Sequence, residues 1–306
     1  EDISSEDQSE DNSEDISSED QSEDNSEDIS SEDESEDNSE DISSEDQSED
    51  ILNEENIQNI NQIKEDETKN SSVLNGILVE GGVITGYNGS SSHIGELTLP
   101  REIKGQVITS IADDAFINKG ITKLTFEADS QITAIGNSAF QNNPITEITF
   151  APSITSIGDD AFKYCNELVS VNTLNVTSIG DRAFYSCSNL TSVEMPEVTN
   201  IGQETFYECS NLTSAQMLKA INIGDRAFSW TSLKGSLQLP EAISIGEEAF
   251  YSTSITSIEI PKITSIGYRV FAFTSIENID LPNVTNLGES AFWGCKAKTV
   301  KLQNVE

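Results

Sequence analysis

The strongest constraint on this chain is a short motif that returns at a nearly constant interval. SIGDDAFKYCNELVSV at residues 156–171 is followed 22 positions later by SIGDRAFYSCSNLTSV at residues 178–193. The shared block I-G-x-x-A-F ends in an aromatic residue that recurs first after 24 positions, then five times after 22, then twice after 21. These residues are Phe116, Phe140, Phe162, Phe184, Phe206, Phe228, Phe250, Phe271 and Phe292. A fixed period in this range is typical of a solenoid, in which each unit buries its apolar face against its neighbours.

Within each unit the apolar pattern predicts one short β-strand. Val193 and Met195 are two positions apart, so in an extended chain their side chains point the same way. Pro196 ends the strand, because proline cannot donate to a sheet ladder. A second short extended segment leads to Gly202, where we expect a tight corner, and a single helical turn then carries Ala and Phe inward. Residues 100–306 are therefore predicted to form a β-rich solenoid of about nine units of 21–24 residues.

The N-terminal segment has a different composition. Residues 1–50 repeat the 13-residue unit EDISSEDQSEDNS and contain 25 of the 55 acidic residues, with no Lys or Arg. Such a segment cannot bury enough apolar surface to offset its chain entropy, so we expect a disordered acidic spacer. No loop with Ca²⁺-ligand spacing is present, so we expect at most a weak association of Ca²⁺ with this leader. Phosphorylation of its serines stays an open alternative.

Two further segments precede the repeats. Residues 51–72 are predicted to be a linker that contains a short helix, and residues 73–99 an N-terminal capping β segment. The helix is indicated by apolar residues near helical spacing, Leu52, Ile57, Ile60 and Ile63. The repeat pattern at residue 306 stops before the next Ile-Gly, so we expect an array truncated within a repeat.

The charge balance excludes several classes of partner. The net charge is −39, and residues 51–306 alone hold 55 − 25 = 30 acidic residues against 16 basic ones. Nucleic acids and anionic membranes attract clustered Lys and Arg, which this sequence lacks, so we expect no nucleic-acid binding. No apolar run of about 18 residues is present, so we expect no membrane insertion of this segment.

The repeat resembles that of the BspA-type leucine-rich repeat proteins, a family of bacterial and protozoan surface proteins. The resemblance is carried by the I-G-[D/E]-x-A-F block, by CSNLTSV at residues 187–193 and by the proline that ends the strand. GVITGYNG at 82–89 and LTLPREIKGQVITSIADDAF at 97–116 also match, although Ala112 replaces the glycine. The resemblance implies an extracellular or cell-surface module for binding or adhesion, and not an enzyme.

One column of each unit lies three residues after the anchoring Phe. In leucine-rich repeats Asn, Cys or Thr at this place satisfies turn backbone from inside the stack, which predicts a structural ladder. A zinc site is disfavoured because these residues are rungs on a line, and a tetrahedral site needs ligands that converge. A disulfide between neighbouring rungs is geometrically conceivable, since coils are spaced by about 4.8 Å. The rungs are Asn143, Cys165, Cys187, Cys209, Thr231, Thr253, Thr274 and Cys295.

The sequence contains no motif that predicts catalysis. His93 is the single histidine and follows Ser90, Ser91 and Ser92, but no motif places an acid beside it. The carboxylates of the repeats are scattered over turns, and no phosphate-binding loop is present. We therefore expect no enzyme activity, no cofactor and no metal site.

A series of aromatic residues follows the anchoring Phe by one or two positions. Coil spacing of about 4.8 Å would align them as an aromatic ridge along one flank. They either cap the Phe core and stack on one another, or form a surface that binds a protein partner or stacks on a glycan. The aromatic ridge comprises Tyr164, Tyr185, Tyr207, Trp230, Tyr251, Phe273 and Trp293.

The polar face of the strands is a weaker candidate, because its side chains, such as Ser192 and Glu194, are small and weakly acidic and include no aromatic anchor. The leading hypothesis is an extracellular module that binds a protein or glycan, in adhesion to host or neighbouring cells. The alternatives are a structural surface spacer without a specific ligand, and an intracellular scaffold. The ridge residues are the candidate ligand-binding residues.

Overall fold

The computed structural model describes residues 71–89 and 93–302, together with 58, 59, 61, 62 and 64. All of them belong to a compact unit, Leu52–Glu306. The acidic repeats of residues 1–50 and the apolar linker positions (Leu52, Ile57, Ile60 and Ile63) lie outside the described residues, so their disorder, Ca²⁺ association and helical spacing stay predictions. The described positions between 58 and 64 are helical, as are residues 71–76, and the first strand follows directly.

Each coil contributes one strand to a face of parallel strands, which we call the strand face. In-register pairs such as Ser170 with Ser192 and Ser192 with Ser214 align equivalent positions of successive coils. The strands are β3 (Gly95–Leu99), β7 (Ile121–Phe126), β9 (Glu147–Thr149), β11 (Ser170–Asn172), β13 (Ser192–Glu194), β15 (Ser214–Gln216), β17 (Lys234–Gln238), β19 (Ser254–Glu259), β21 (Asn278–Leu281) and β23 (Thr299–Leu302).

A second face is built from very short strands, one before each glycine corner. An antiparallel hairpin of β1 (Ile77–Glu80) and β2 (Val83–Tyr87) begins this sheet and leads into a parallel series. The series comprises β6 (Ser110–Ile111), β8 (Ala134–Ile135), β10 (Ser156–Ile157), β12 (Ser178–Ile179), β14 (Asn200–Ile201), β16 (Asn222–Ile223) and β18 (Ser244–Ile245), and a separate pair, β20 (Ser265–Ile266) with β22 (Asn286–Leu287), follows. β4 (Glu102–Ile103) and β5 (Gln106–Val107) form a small side hairpin.

One hydrophobic core runs the length of the stack. The anchoring Phe rings lie on one another with centroids 5.1–5.7 Å apart and planes within 18° of parallel. Eight of the nine, Phe116 to Phe271, are completely buried. Such stacking gains dispersion energy beyond the area buried. The predicted β-rich leucine-rich repeat solenoid is confirmed.

The segment between the glycine corner and the strand is a run of hydrogen-bonded turns, where the sequence predicted a single helical turn. Ala161 and Phe162 face inward and are fully buried. Two residues of the run, Asp160 and Tyr164, have positive φ of 54° and 61°, which interrupts a regular α-helical turn. Their amides point along the stack, and Asp160 N donates to Asp181 O at 2.8 Å in the next coil. The turns are thus bonded from coil to coil like a sheet.

At most corners the glycine is required by the close approach of the preceding coil. A Cβ on Gly224 would lie 2.5 Å from Gln203 N and from Gly202 C. Gly267 is different, because its nearest neighbours would be side-chain atoms 3.8 Å or more away. In the described chain β20 pairs with β22 and not with β18, so the second face is interrupted at this coil.

Candidate binding surface: the aromatic ridge

The ridge residues occupy two different positions of the turn segment. Tyr185, Tyr207, Tyr251 and Trp293 directly follow the anchoring Phe, whereas Tyr164, Trp230 and Phe273 follow it by two. The second position has a left-handed backbone in every one of these coils, with φ of 61° at Tyr164, 59° at Trp230 and 57° at Phe273. The remaining coils place Asn118, Asn142, Ser186, Glu208, Ser252 and Gly294 there. Asn and Gly tolerate this conformation, but a bulky aromatic residue is an outlier in it.

The three aromatic residues in this strained position are also highly exposed. Tyr164 and Phe273 are each 41% exposed, Trp230 is 51% and Trp293 is 54%. Tyr185, Tyr207 and Tyr251 are partly buried. Every coil from Tyr164 to Trp293 therefore contributes one ring to the ridge, but the exposed fraction of the ring differs from coil to coil. The most exposed members are large rings in contact with water.

Ring contacts divide the ridge into two clusters. The first joins Tyr164 to Tyr185 (5.8 Å, 87°) and Tyr185 to Tyr207 (5.3 Å, 15°). The second runs from Trp230 to Tyr251 (5.6 Å, 58°), and then through Phe273 to Trp293. Within the described residues no ring contact joins Tyr207 to Trp230. The break between the two clusters therefore falls between Tyr207 and Trp230.

A ladder of alternating charge flanks the ridge. It occupies the position two residues before the anchoring Phe, where the chain reads Asp160, Arg182, Glu204, Arg226, Glu248 and Arg269 in successive coils. Arg182 makes a bidentate contact with Asp160, with Nε–Oδ1 and Nη2–Oδ2 distances of 3.0 and 3.1 Å. Arg226 Nε lies 2.7 Å from Glu248 Oε2. This ladder was not predicted from the sequence, although its alternating signs are visible once the repeats are aligned on Phe.

The seven predicted rung residues from Asn143 to Thr274 are buried inside the stack and bond to backbone carbonyls. Asn143 Nδ2 donates to Phe116 O and Phe140 O, both at 2.8 Å, and its Oδ1 accepts from Ile121 N. Thr231 donates to Phe228 O of its own coil at 2.8 Å, and Thr253 and Thr274 repeat this contact. The cysteines bond instead to the Phe carbonyl one coil earlier: Cys165 to Phe140, Cys187 to Phe162 and Cys209 to Phe184.

The four cysteines are free thiols. Burial raises the pKa of Cys165 and of Cys187 well above the ordinary value, and Cys209 is fully buried as well. Cys295, in the last coil, is partly exposed. No group of three His, Cys, Asp or Glu side chains suited to a metal ion occurs among the residues that the structure describes.

The other two candidates lie apart from the ridge. His93 packs against Gly120, where an added Cβ would lie 3.0 Å from His93 Cα. On the strand face, polar side chains pair with the equivalent position of the next coil: Lys123 Nζ lies 3.1 Å from Glu147 Oε2, and Asn172 Nδ2 donates to Glu194 Oε2 at 2.7 Å. No helix in the described part of the chain is long and apolar enough to cross a bilayer.

Comparison with known proteins agrees with this architecture. The family model for the BspA type leucine-rich repeat region matches residues 109–234 and 199–306, with six copies of the repeat. The chain belongs to the BspA-type leucine-rich repeat family. The members of this family are leucine-rich repeat proteins.

Two solved structures of bacterial leucine-rich repeat proteins are similar to this chain. A leucine-rich cell surface protein of Faecalibacterium prausnitzii A2-165 is 22% identical, with a TM-score of 0.53 over 74% of this chain and 76% of that chain. The leucine-rich repeat protein of T. pallidum is 25% identical, with a TM-score of 0.49 over 55% of this chain and 79% of that chain. A search of curated protein sequences finds no match.

Proposed function

We propose that this BspA-type chain is a non-catalytic binding module of the cell surface, which recognises a protein or glycan through its aromatic ridge. Its family and its likeness to a bacterial cell surface protein support the location. The acidic leader would act as a spacer, and adhesion to host or neighbouring cells is the biological role that fits such a module.

The observation that carries the proposal is the position of Tyr164, Trp230 and Phe273. A left-handed backbone costs a bulky residue about 1 kcal/mol or more, and exposure of its ring forfeits the benefit of burial. The other coils hold Asn, Gly, Ser or Glu at this position, for example Asn142, Ser186 and Glu208, so the backbone conformation does not require an aromatic ring. Large exposed rings retained at such a position are expected where they meet a partner, since Trp and Tyr dominate binding hot spots.

The ridge also has the rigid support that a binding surface needs. Tyr164 N donates to Tyr185 O at 3.0 Å and Trp230 N donates to Tyr251 O at 3.1 Å, so the backbone under each ring is bonded to the next coil. The buried Phe stack lies directly beneath. Rings held in this way lose little conformational freedom on binding, which favours affinity.

The strand face is a poorer candidate for recognition. Its charged and amide groups already bond to each other along the stack, as Lys301 Nζ does to Asp280 Oδ2 at 3.3 Å. A partner would have to replace these contacts and would find no aromatic anchor in exchange. The strand face therefore serves as the internal control for the ridge.

The test is binding of the full chain to immobilised extracellular-matrix glycoproteins and glycans, at low and physiological salt. A ridge variant carries Tyr185→Ala, Tyr207→Ala and Trp230→Ala, and a matched control carries Ser192→Ala, Glu194→Ala and Gln216→Ala on the strand face. We expect saturable binding that the ridge variant weakens by about tenfold or more, and the control by less than about twofold.

Equal binding by the ridge variant would refute the assignment to the ridge. Absence of binding to every immobilised molecule by the unaltered chain would favour the alternative, a structural spacer without a ligand. Circular dichroism of each variant separates loss of binding from loss of fold.

A further inference from the structure

The two ends of the aromatic ridge already hold cationic side chains of the chain itself. Lys163 Nζ lies 5.3 Å from the Tyr164 ring centre and 5.1 Å from that of Tyr185. Arg269 lies 5.5 Å from the Trp293 ring centre and 4.8 Å from that of Tyr268. Cations within about 6 Å of an aromatic face are attracted by the ring quadrupole. The geometry of the ridge thus accepts an ammonium or guanidinium group between or above its rings.

The middle of the ridge has aromatic rings without such a cation. No Lys or Arg of the described chain lies over Tyr207, Trp230 or Tyr251 at the distances seen at the two ends. The break between the two ring clusters falls here, between Tyr207 and Trp230. Trp230 is about half exposed, so its indole is accessible at this break.

Carboxylates surround the same place. Glu208 holds the same turn position as Trp230 one coil earlier, is exposed, and accepts a hydrogen bond from Ser186 Oγ at 3.1 Å. Glu204 and Glu248 lie on either side of Arg226, at Nη1–Oε1 and Nε–Oε2 distances of 3.7 and 2.7 Å. Arg269 Nη1 also lies 3.6 Å from Glu248 Oε1, so the two ladder carboxylates are matched by two guanidinium groups. Glu208 is the carboxylate at this place that has no cationic partner in the described chain.

The effect of these carboxylates extends to the tyrosine. Burial raises the pKa of Tyr207, and Glu208 and Glu204 raise it further, against the smaller opposing influence of Arg226. Glu208 and Glu204 thus influence the Tyr207 hydroxyl more strongly than Arg226 does.

We propose that the centre of the ridge, formed by Tyr207, Trp230 and Glu208, binds a lysine or arginine side chain of a partner protein. The inference rests on the proposed binding function and specifies the chemical class of the partner. The aromatic rings attract the cation through their faces, and Glu208 supplies a carboxylate that has no cationic partner within hydrogen-bonding distance in the described chain.

Other occupants fit less well. A neutral saccharide would stack on the rings but gain nothing from the Glu208 carboxylate. An acidic glycan or a phosphate-bearing surface would be repelled by it. A second copy of this chain would bring its own surplus of acidic residues, since residues 51–306 hold 30 acidic and 16 basic residues. A protein segment rich in Lys or Arg is complementary to both features.

The two tryptophans of the chain allow a direct test, because both lie on the ridge and only Trp230 lies at its centre. The full chain, labelled with ¹⁵N, shows one indole N–H signal for each, and Trp230→Phe assigns them. The probe is a Gly/Ser peptide with three arginines, and its control replaces each arginine by neutral citrulline. We expect the arginine peptide to shift the Trp230 signal saturably, the Trp293 signal far less, and the citrulline peptide to shift neither.

Matched charge variants then locate the carboxylate. Glu208→Gln is expected to weaken arginine-peptide binding about two- to fivefold, as for an exposed cation–π or ion-pair contact. Glu194→Gln removes one carboxylate from the strand face and is expected to change it by less than about 1.5-fold, as an exposed charge away from the site. The acidic leader is common to all variants, so its attraction for the peptide cancels in the comparison.

Equal shifts with the citrulline peptide, no shift of the Trp230 signal, or equal weakening by Glu208→Gln and Glu194→Gln would each overturn the inference. Saturable binding to an immobilised glycan that is lost in the ridge variant, without response to the arginine peptide, would refute the cationic partner and leave the binding function intact. If the proposed binding function itself is wrong, the unaltered chain will bind none of the immobilised glycoproteins and glycans in the ridge-variant experiment.

Discussion

Two columns of aromatic rings run along this solenoid, and they behave differently. The buried Phe stack repeats one position of the unit, and its rings lie within 18° of parallel. The aromatic ridge has similar centroid distances, 4.8–5.8 Å, but interplanar angles from 15° to 87°. Coil spacing sets the distance between ring centroids in both columns. The interplanar angle depends on whether the ring returns at the same position of the unit and whether neighbouring side chains enclose it. Regular stacking identifies the structural column, and irregular, exposed rings identify the candidate binding surface.

The largest expected difference in the free energy of unfolding is between a variant that lacks one ring of the Phe stack and a variant that lacks one ring of the ridge. Phe206 is fully buried between rings at 5.4 and 5.1 Å, so Phe206→Ala should lower the free energy of unfolding by about 3–5 kcal/mol through a cavity in the core. Trp230→Ala should cost less than about 1 kcal/mol, because the ring is half exposed. Urea unfolding measures both. Similar losses would mean that the ridge is part of the core and not a separate surface.

The glycine corners offer the next comparison. Gly224→Ala would bring a Cβ to 2.5 Å from the backbone of the preceding coil and should cost about 3 kcal/mol by overpacking. Gly267→Ala meets no atom closer than 3.8 Å and should change stability by less than about 1 kcal/mol. Thermal unfolding of the two variants measures the difference. Equal costs would contradict the interruption of the second face at Gly267.

The charge ladder beside the ridge predicts a smaller, pH-dependent effect. Burial raises the pKa of Asp160, but hydrogen bonds and charge from Arg182 and Lys163 outweigh it, so the pKa lies below its ordinary value. A lowered carboxyl pKa adds stability above the unfolded-state pKa, and this stability is lost as the pH falls through the folded-state pKa.

Asp160→Asn should therefore reduce stability by about 1 kcal/mol at neutral pH and by almost nothing near pH ~2. Urea unfolding at the two pH values checks it. Asn142→Ser, which changes a polar turn residue without a charge, is the pH-independent control. A loss that is the same at both pH values would show that packing, and not the ion pair, explains the effect of the substitution.

Much of the candidate site could be found from the sequence, because residues at equivalent positions of successive repeats lie above one another in the solenoid. Aligning the units on Phe placed Tyr185 and Trp230 on one flank of the solenoid and Cys187 inside the stack. The left-handed backbone at Trp230 was not predicted, since Asn, Gly, Ser, Glu and aromatic residues share that position and no single preference emerges. The different bonding of Cys187 and Thr231 was also missed, because both can donate to a carbonyl and only the local geometry selects which coil supplies it.

The sequence by itself determined the stack: its period, its Phe core, its inward rungs and the flank on which the ridge lies. These follow because each coil must bury the same apolar face against an almost identical neighbour. Only the tertiary structure decided which rings touch, which cations lie over them, and that Glu208, at the centre of the ridge beside an exposed Trp230, has no cationic partner in the described chain. Those features depend on distances between side chains, most of them in neighbouring coils, which become fixed only when coil spacing and backbone conformation are known.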